Sequence, residues 1–128
     1  IKTINIEAQT MLEMGRQDIY PAVNGYIAEL CSVIAAKRAV SEKMACGEDA
    51  ALAEKLSTMN EAFFAAMKKL EKDLAEMPEG EGPASQKMAH VIVPDMEAVR
   101  AIADGMERLT SSDYWPYPTY SEILYSIR

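Results

Sequence analysis

The sequence predicts an all-α chain, an antiparallel up-down-up three-helix bundle with proline-kinked first and third helices, a C-terminal aromatic strap and a short last helix. Three observations predict it. Apolar residues recur at steps of three and four through three long stretches, which keeps them on one helical face. The six glycines and six prolines among 128 residues gather at a few points, where helices should bend or stop. Hydrophobic residues make up 49% of the chain but aromatics only 7%, a helical composition rich in Ala and Met that suits one domain with a single core over residues 1–128.

The first helix is predicted over about residues 4–45. Its stripe runs through Ile4, Ala8, Met11 or Leu12, Gly15, Ile19, Ala22 or Val23, Tyr26 or Ile27, Leu30 and Val33 or Ile34. Pro21 lacks an N–H, and its ring would meet the carbonyl of Gln17. The stripe keeps its phase across the proline, so a kink is expected and not a break. Gly47 is expected to supply a left-handed C-terminal cap.

The second helix, about residues 48–77, carries Leu52, Leu56, Met59, Phe63, Met67 or Ala66, Leu70, Leu74 and Met77, the alternating seam of a left-handed bundle. Glu48 and Asp49 at its start and Lys68, Lys69 and Lys72 toward its end suit the helix dipole. Residues 78–83, Pro-Glu-Gly-Glu-Gly-Pro, form a turn. Pro83 then opens a third helix to about residue 111. Its stripe is Met88, Val91 or Ile92, Met96 or Asp95, Val99, Ile102, Met106 and Leu109, with a second kink at Pro94. Short connections make the neighbours antiparallel.

The strap follows. Tyr114, Trp115, Tyr117, Tyr120 and Tyr125 are five of the nine aromatics, and Pro116 and Pro118 stop any preceding helix. Thr119 and Glu122 stand in capping-box spacing before Ile123 and Leu124, predicting a last helix over about residues 119–127. Tyr114, Trp115, Tyr117 and Tyr120 are therefore candidate docking residues. They either cap the domain's own core or present polar-tipped aromatic surface to another domain or subunit.

The net charge of −7 argues against a nucleic acid, whose affinity rests on Lys and Arg neutralising phosphates, and against an acidic membrane surface. No apolar run is expected to reach the roughly 20 residues of a membrane span, and the polar N-terminus lacks a signal-peptide pattern. Cys31 and Cys46 read as reduced thiols. The chain starts at Ile1 and not at Met, as an excised piece of a larger protein would.

Catalytic patterns are sparse. His90 is the only histidine, and Lys87 stands three residues before it, so a bridged metal pair of the Glu-x-x-His type fails. Haem ligation by His90 and a methionine competes poorly with methionines as core packing. With His90 alone, no Ser/His/Asp or Cys/His set can form. Gly80-Glu81-Gly82 is too short and acidic to cradle a phosphate. A small helical enzyme of chorismate mutase type would need converging cations. Arg16, Lys37, Arg38, Arg100 and Arg108 flank the stripes instead. Glu54, Glu61, Glu71 and Asp73 read as an outward face, and Asp95 as a polar spot beside Pro94. No catalytic, cofactor-binding or metal residue is assigned.

Trp115-Pro116-Tyr117-Pro118-Thr119-Tyr120 and the Leu/Ile-rich segment after it resemble the C-terminal end of the type III glutamine synthetases, the large bacterial form of glutamate–ammonia ligase. Ile4-Asn5-Ile6-Glu7-Ala8-Gln9-Thr10-Met11-Leu12-Glu13-Met14 and Ile19-Tyr20-Pro21-Ala22-Val23 are similar to the family's first helix after the catalytic part. Val91-Ile92-Val93-Pro94-Asp95-Met96 resembles its later proline-bearing helix.

The resemblance implies a non-catalytic, cytoplasmic C-terminal helical domain, acting in inter-domain packing and subunit assembly. The parent enzyme would ligate ammonia to glutamate through γ-glutamyl phosphate in nitrogen assimilation and glutamine biosynthesis, using ATP and divalent metal, Mg or Mn. Its active site would lie between subunits of a ring, on a β-rich domain. The partners implied are that catalytic domain and sister subunits. The alternative is a free-standing helical interaction module that binds a partner helix in a Met-rich groove.

Overall fold

The structure, a computed structural model, describes residues 2–118. The last helix expected over 119–127, with Tyr120 and the Thr119–Glu122 box, lies outside the described residues. Among the described residues every regular element is helical and there is no strand. Three helical runs follow one another. The first comprises α1 (Lys2–Met14), a π-helical turn (Gly15–Ile19) and α2 (Tyr20–Val40); the second is α3 (Gly47–Ala75). The third comprises α4 (Glu81–Lys87), a π-helical turn (Met88–Ile92) and α5 (Val93–Leu109).

The π turns explain how the chain passes its internal prolines. Each ends just before a proline, and Pro21 and Pro94 each stand in the first turn of the α-helix that follows. The N–H of Tyr20 donates to the Gly15 carbonyl and that of Val93 to the Met88 carbonyl, both five residues back. An extra residue in the turn resets the hydrogen-bond register where proline supplies no donor. The sequence announced the prolines but not this device.

The first run ends at Val40, short of the expected 45, because Ser41 turns to extended backbone (φ −157°, ψ 130°). Two basic residues in the last turn of α2 then hold the departing loop. Lys37 Nζ donates to the Ala45 carbonyl (3.2 Å) and Arg38 Nη1 to the Glu42 carbonyl (3.2 Å). Gly47 caps nothing; it is the first residue of α3, and among the described residues only Gly80 has positive φ (91°). That residue precedes Glu81, so the third run begins inside the expected turn. Pro83 sits in its first turn, where a missing N–H costs no hydrogen bond.

Residues brought together by the runs fall in number on one as they rise on the other. Arg16 meets Glu71, Tyr20 meets Asn60 and Lys37 meets Asp49; Lys69 meets Asp95 and Met59 lies against Gly105. Much of the predicted stripe forms the core: Ala8, Leu12, Val23, Leu30, Leu56, Phe63, Met67, Leu70, Met88, Ile92, Met96, Val99 and Met106 are buried. Val33 and Ile34 are half-buried outside it, whereas Ala53, off the stripe, is buried. Gly15 is buried too, because Phe63 and Met67 of α3 fill the space where its side chain would stand.

One expectation is corrected. The run Thr3–Val40 contains an 18-residue window of mean hydropathy 1.3, long and apolar enough by length and composition to cross a membrane. Alanines and the apolar residues of α2 raise that mean. The same run sends Val23 and Leu30 into the core against α3.

Candidate functional site

The chain after α5 turns back sharply. Thr110 is extended, and the Ser111 carbonyl accepts from the N–H groups of both Tyr114 (2.9 Å) and Trp115 (3.0 Å). Ser111 Oγ accepts a third bond, from the Asp113 N–H (3.2 Å). This turn throws three of the four candidate strap residues onto the helices. Trp115 is 9% exposed and joins the core. The Tyr114 ring lies 5.4 Å from that of Tyr26, centroid to centroid, and 3.5 Å from where a Gly25 side chain would begin. The Tyr117 hydroxyl donates to Asp18 Oδ2 at 2.6 Å, across 99 residues of sequence. Burial and that carboxylate both push the Tyr117 phenol up from its usual value, so it stays a donor at any ordinary pH.

Trp115 and Tyr117 also wall one end of a groove of about 590 Å³ between α1 and α5, floored by Phe63. Met11, Met14 and Ile19 line one flank, Met96, Val99 and Ala103 the other. Ile6, 66% exposed, stands on its rim with Glu7, Arg100, Asp104 and Glu107. A concave apolar surface with a charged rim is suited to taking an apolar segment.

The cations that a dicarboxylate pocket would need do not converge. Arg16 Nη2 pairs with Glu71 (2.7 Å), Lys37 with Asp49 (2.6 Å), and Arg38 Nε donates to Cys46 Sγ (3.0 Å). Arg100 is on the groove rim and Arg108 is exposed at the end of α5. His90 is exposed, Cys31 is exposed, and both cysteines are free thiols. Among the described residues no group of three or more His, Cys, Asp or Glu side chains is placed to hold a metal ion.

Sequence reasoning missed one polar cluster. Asp73, expected on the outward face, is drawn inward, its side chain 18% exposed. Lys69 Nζ bridges Asp73 Oδ2 (2.9 Å) and Asp95 Oδ1 (2.8 Å), tying α3 to α5. Asp95 is 8% exposed, and its Oδ2 has no partner among the described residues. Burial raises the Asp95 carboxyl above its ordinary 3.8, and the neighbouring Asp73 adds to this. Asp73 moves the other way, lowered by hydrogen bonds with Asp95 and Lys69. Asp95 on the inner phase of its helix was the one signal in the sequence.

These shifts set a pH dependence of opposite sign for the two groups. Asp73, lowered on folding, contributes stability above about 3.8 that is lost as pH falls through its folded value. Asp95, raised on folding, weakens the fold when ionised and ceases to do so as pH falls toward 3.8. Asp73→Asn therefore lowers the thermal midpoint by a few degrees at pH 7, with the difference fading below pH 3.8. Asp95→Asn keeps or raises it, since an amide there accepts from Lys69 and can donate to Asp73 as the protonated acid does. Melting curves of both variants between pH 3 and pH 7 check the signs.

Comparison with known proteins adds a relationship. Residues 1–38 match the family described as the glutamine synthetase C-terminal domain. Over 130 aligned positions the chain is 30% identical to a glutamine synthetase of Butyrivibrio fibrisolvens, an alignment covering 99% of this chain and 18% of that protein. The chain thus spans about a fifth of the length of the curated relative it matches. No solved structure matches it.

Proposed function

We propose that this chain, a glutamine synthetase C-terminal domain, is a non-catalytic part of a type III enzyme that packs on the catalytic domain and shapes contacts between subunits. The parent reaction on this reading is ATP-dependent ligation of ammonia to glutamate, with Mg or Mn, in the cytoplasm. What supports it is that nearly the whole chain aligns with a short part of a much longer glutamine synthetase. The polar groups support it as well: the cations are distributed among separate partners, while the interior is filled by Leu, Met and Phe.

The arrangement behind this role is an antiparallel up-down-up bundle, its first and third helices bent at their prolines, with the aromatic strap laid across one end. The opposed numbering of the contacts between runs favours that path, and Trp115 among the core residues favours the strap. Apolar surface for packing is present at the rim residue Ile6 and at Val40 (77% exposed) and Met44 (38% exposed), beside the α2–α3 connection.

Two measurements test the reading. The isolated chain is expected to show no ATP-dependent γ-glutamyl transfer above background, and activity there overturns the non-catalytic role. The full-length enzyme lacking this region is expected to lose its ring assembly in analytical ultracentrifugation. Intact rings overturn the assembly role.

A further inference from the structure

We infer that the groove between α1 and α5 is a docking site for a basic amphipathic helix of a partner, with its apolar face on the groove methionines and its cations on the acidic rim. The inference goes beyond the packing role proposed above and stands on the shape and charge of the groove. Past Met96 and Arg100 the groove continues into a smaller hollow bounded by Ile4, Val93 and Glu97. Along α5 it therefore runs from Val93 to Glu107, about 21 Å or about four helical turns. Both flanks are helices whose backbone groups are already paired within themselves. An occupant must satisfy its own backbone groups, as a helix does and an extended segment does not.

The lining suits an apolar helix face. Met11 and Met14 stand on the α1 flank and Met96 on the α5 flank, and methionine adapts to apolar groups of varied shape. Charge then chooses the partner. Glu7, Glu97, Asp104 and Glu107 line the two hollows, against one cation among the described lining residues, Arg100. Among the described residues none of these four carboxylates enters an ion pair. A helix with Lys or Arg beside its apolar stripe supplies the missing countercharge. A second copy of this chain does the reverse, bringing the same acidic rim and a net charge of −7 against its like.

The test uses the full chain and a labelled peptide of about fourteen residues, an amphipathic helix of leucine and lysine, with its glutamate-for-lysine counterpart. Fluorescence anisotropy is expected to show saturable binding of the lysine peptide, weakening as salt rises, and none of the glutamate peptide. Glu7→Gln/Asp104→Gln/Glu107→Gln should weaken binding about tenfold or more. The charge-matched Glu42→Gln/Glu54→Gln/Glu61→Gln, at exposed sites outside the groove lining, should change it less than about twofold. Ile6 and Met14 are 66% and 38% exposed, so Ile6→Asp/Met14→Asp should keep the helical circular dichroism and lose the peptide. Equal loss in the two triple variants, or undiminished binding by the aspartate variant, overturns the inference, because the attraction then belongs to the whole acidic surface. Failure of the folded chain to bind the lysine peptide overturns it as well. So does a chain that sediments as a dimer until Ile6→Asp/Met14→Asp is introduced, which assigns the groove to a second copy.

Discussion

Phe63→Ala is expected to remove about 3–5 kcal/mol of stability, the range for truncating a buried aromatic in a close-packed core. Ordinary domains hold only about 5–15 kcal/mol in all, so the variant sits near or beyond the edge of folding at physiological temperature. Phe63 is fully buried at the middle of α3 and floors the groove between α1 and α5. Its ring tip lies 3.1 Å from the place a Gly15 side chain would take, beside Met67 Sδ. The void left by truncation is thus bounded by helix backbone on one side, which cannot collapse into it. Urea denaturation checks this: the midpoint should fall with little change in slope. A loss below about 1 kcal/mol would remove Phe63 from the centre of the core. Gly15→Ala supplies the internal control. Alone it crowds Met67 and Phe63 and is expected to cost about 1–3 kcal/mol, offset in part by about 1 kcal/mol of helix propensity. In the Phe63→Ala background the new methyl has room, so the two changes should combine to less than their sum.

That the core could be read from the sequence at all follows from its periodicity. Leu56, Phe63, Met67 and Leu70, or Met88, Ile92, Met96, Val99 and Met106, are spaced so that one buried position dictates the next. The features that escaped depend on events between residues far apart, or on backbone hydrogen bonds that leave no periodic trace. The π turns before Pro21 and Pro94 change the hydrogen-bond register without shifting the apolar stripe. The stop at Val40 depends on Lys37 and Arg38 reaching forward to loop carbonyls, which a linear reading took for helix.

The candidate site divides in the same way. Trp115 drew notice by its chemistry, a large aromatic beside the helix-stopping Pro116, and its indole lies among the core side chains. A Met-rich groove was one reading of the sequence, but its place between α1 and α5 was not legible, because Ile6 and Met14 lie off the main stripe of the first helix. The Lys69 bridge was half visible. Asp95 on an inner phase asked for a partner, but that it would come from Lys69, and take Asp73 with it, is decided by how α3 and α5 register.

Trp115→Ala is expected to cost the isolated chain about 3–5 kcal/mol, as Phe63→Ala does, although Trp115 lies in an irregular segment. The reason is where the strap is fastened. Trp115 sits among the core side chains, while two backbone bonds to the Ser111 carbonyl and the Tyr117–Asp18 hydrogen bond hold it from either side. Removing the indole leaves those fastenings in place around a void, so the cavity is not relieved by the strap moving in. Tyr117→Phe removes only one fastening, a bond to a carboxylate, and is expected to cost about 1.5–3 kcal/mol. The pair of variants separates the two roles open to the strap. If its aromatic surface closes this domain's own core, both variants lower the unfolding midpoint of the isolated chain in that order, and assembly of the full-length enzyme fails only in proportion. If the strap serves mainly as an interface, the isolated chain melts as before while the full-length enzyme comes apart. With Trp115 only 9% exposed before any partner arrives, little of its surface is left for a neighbour to bury, and the first outcome is the expected one.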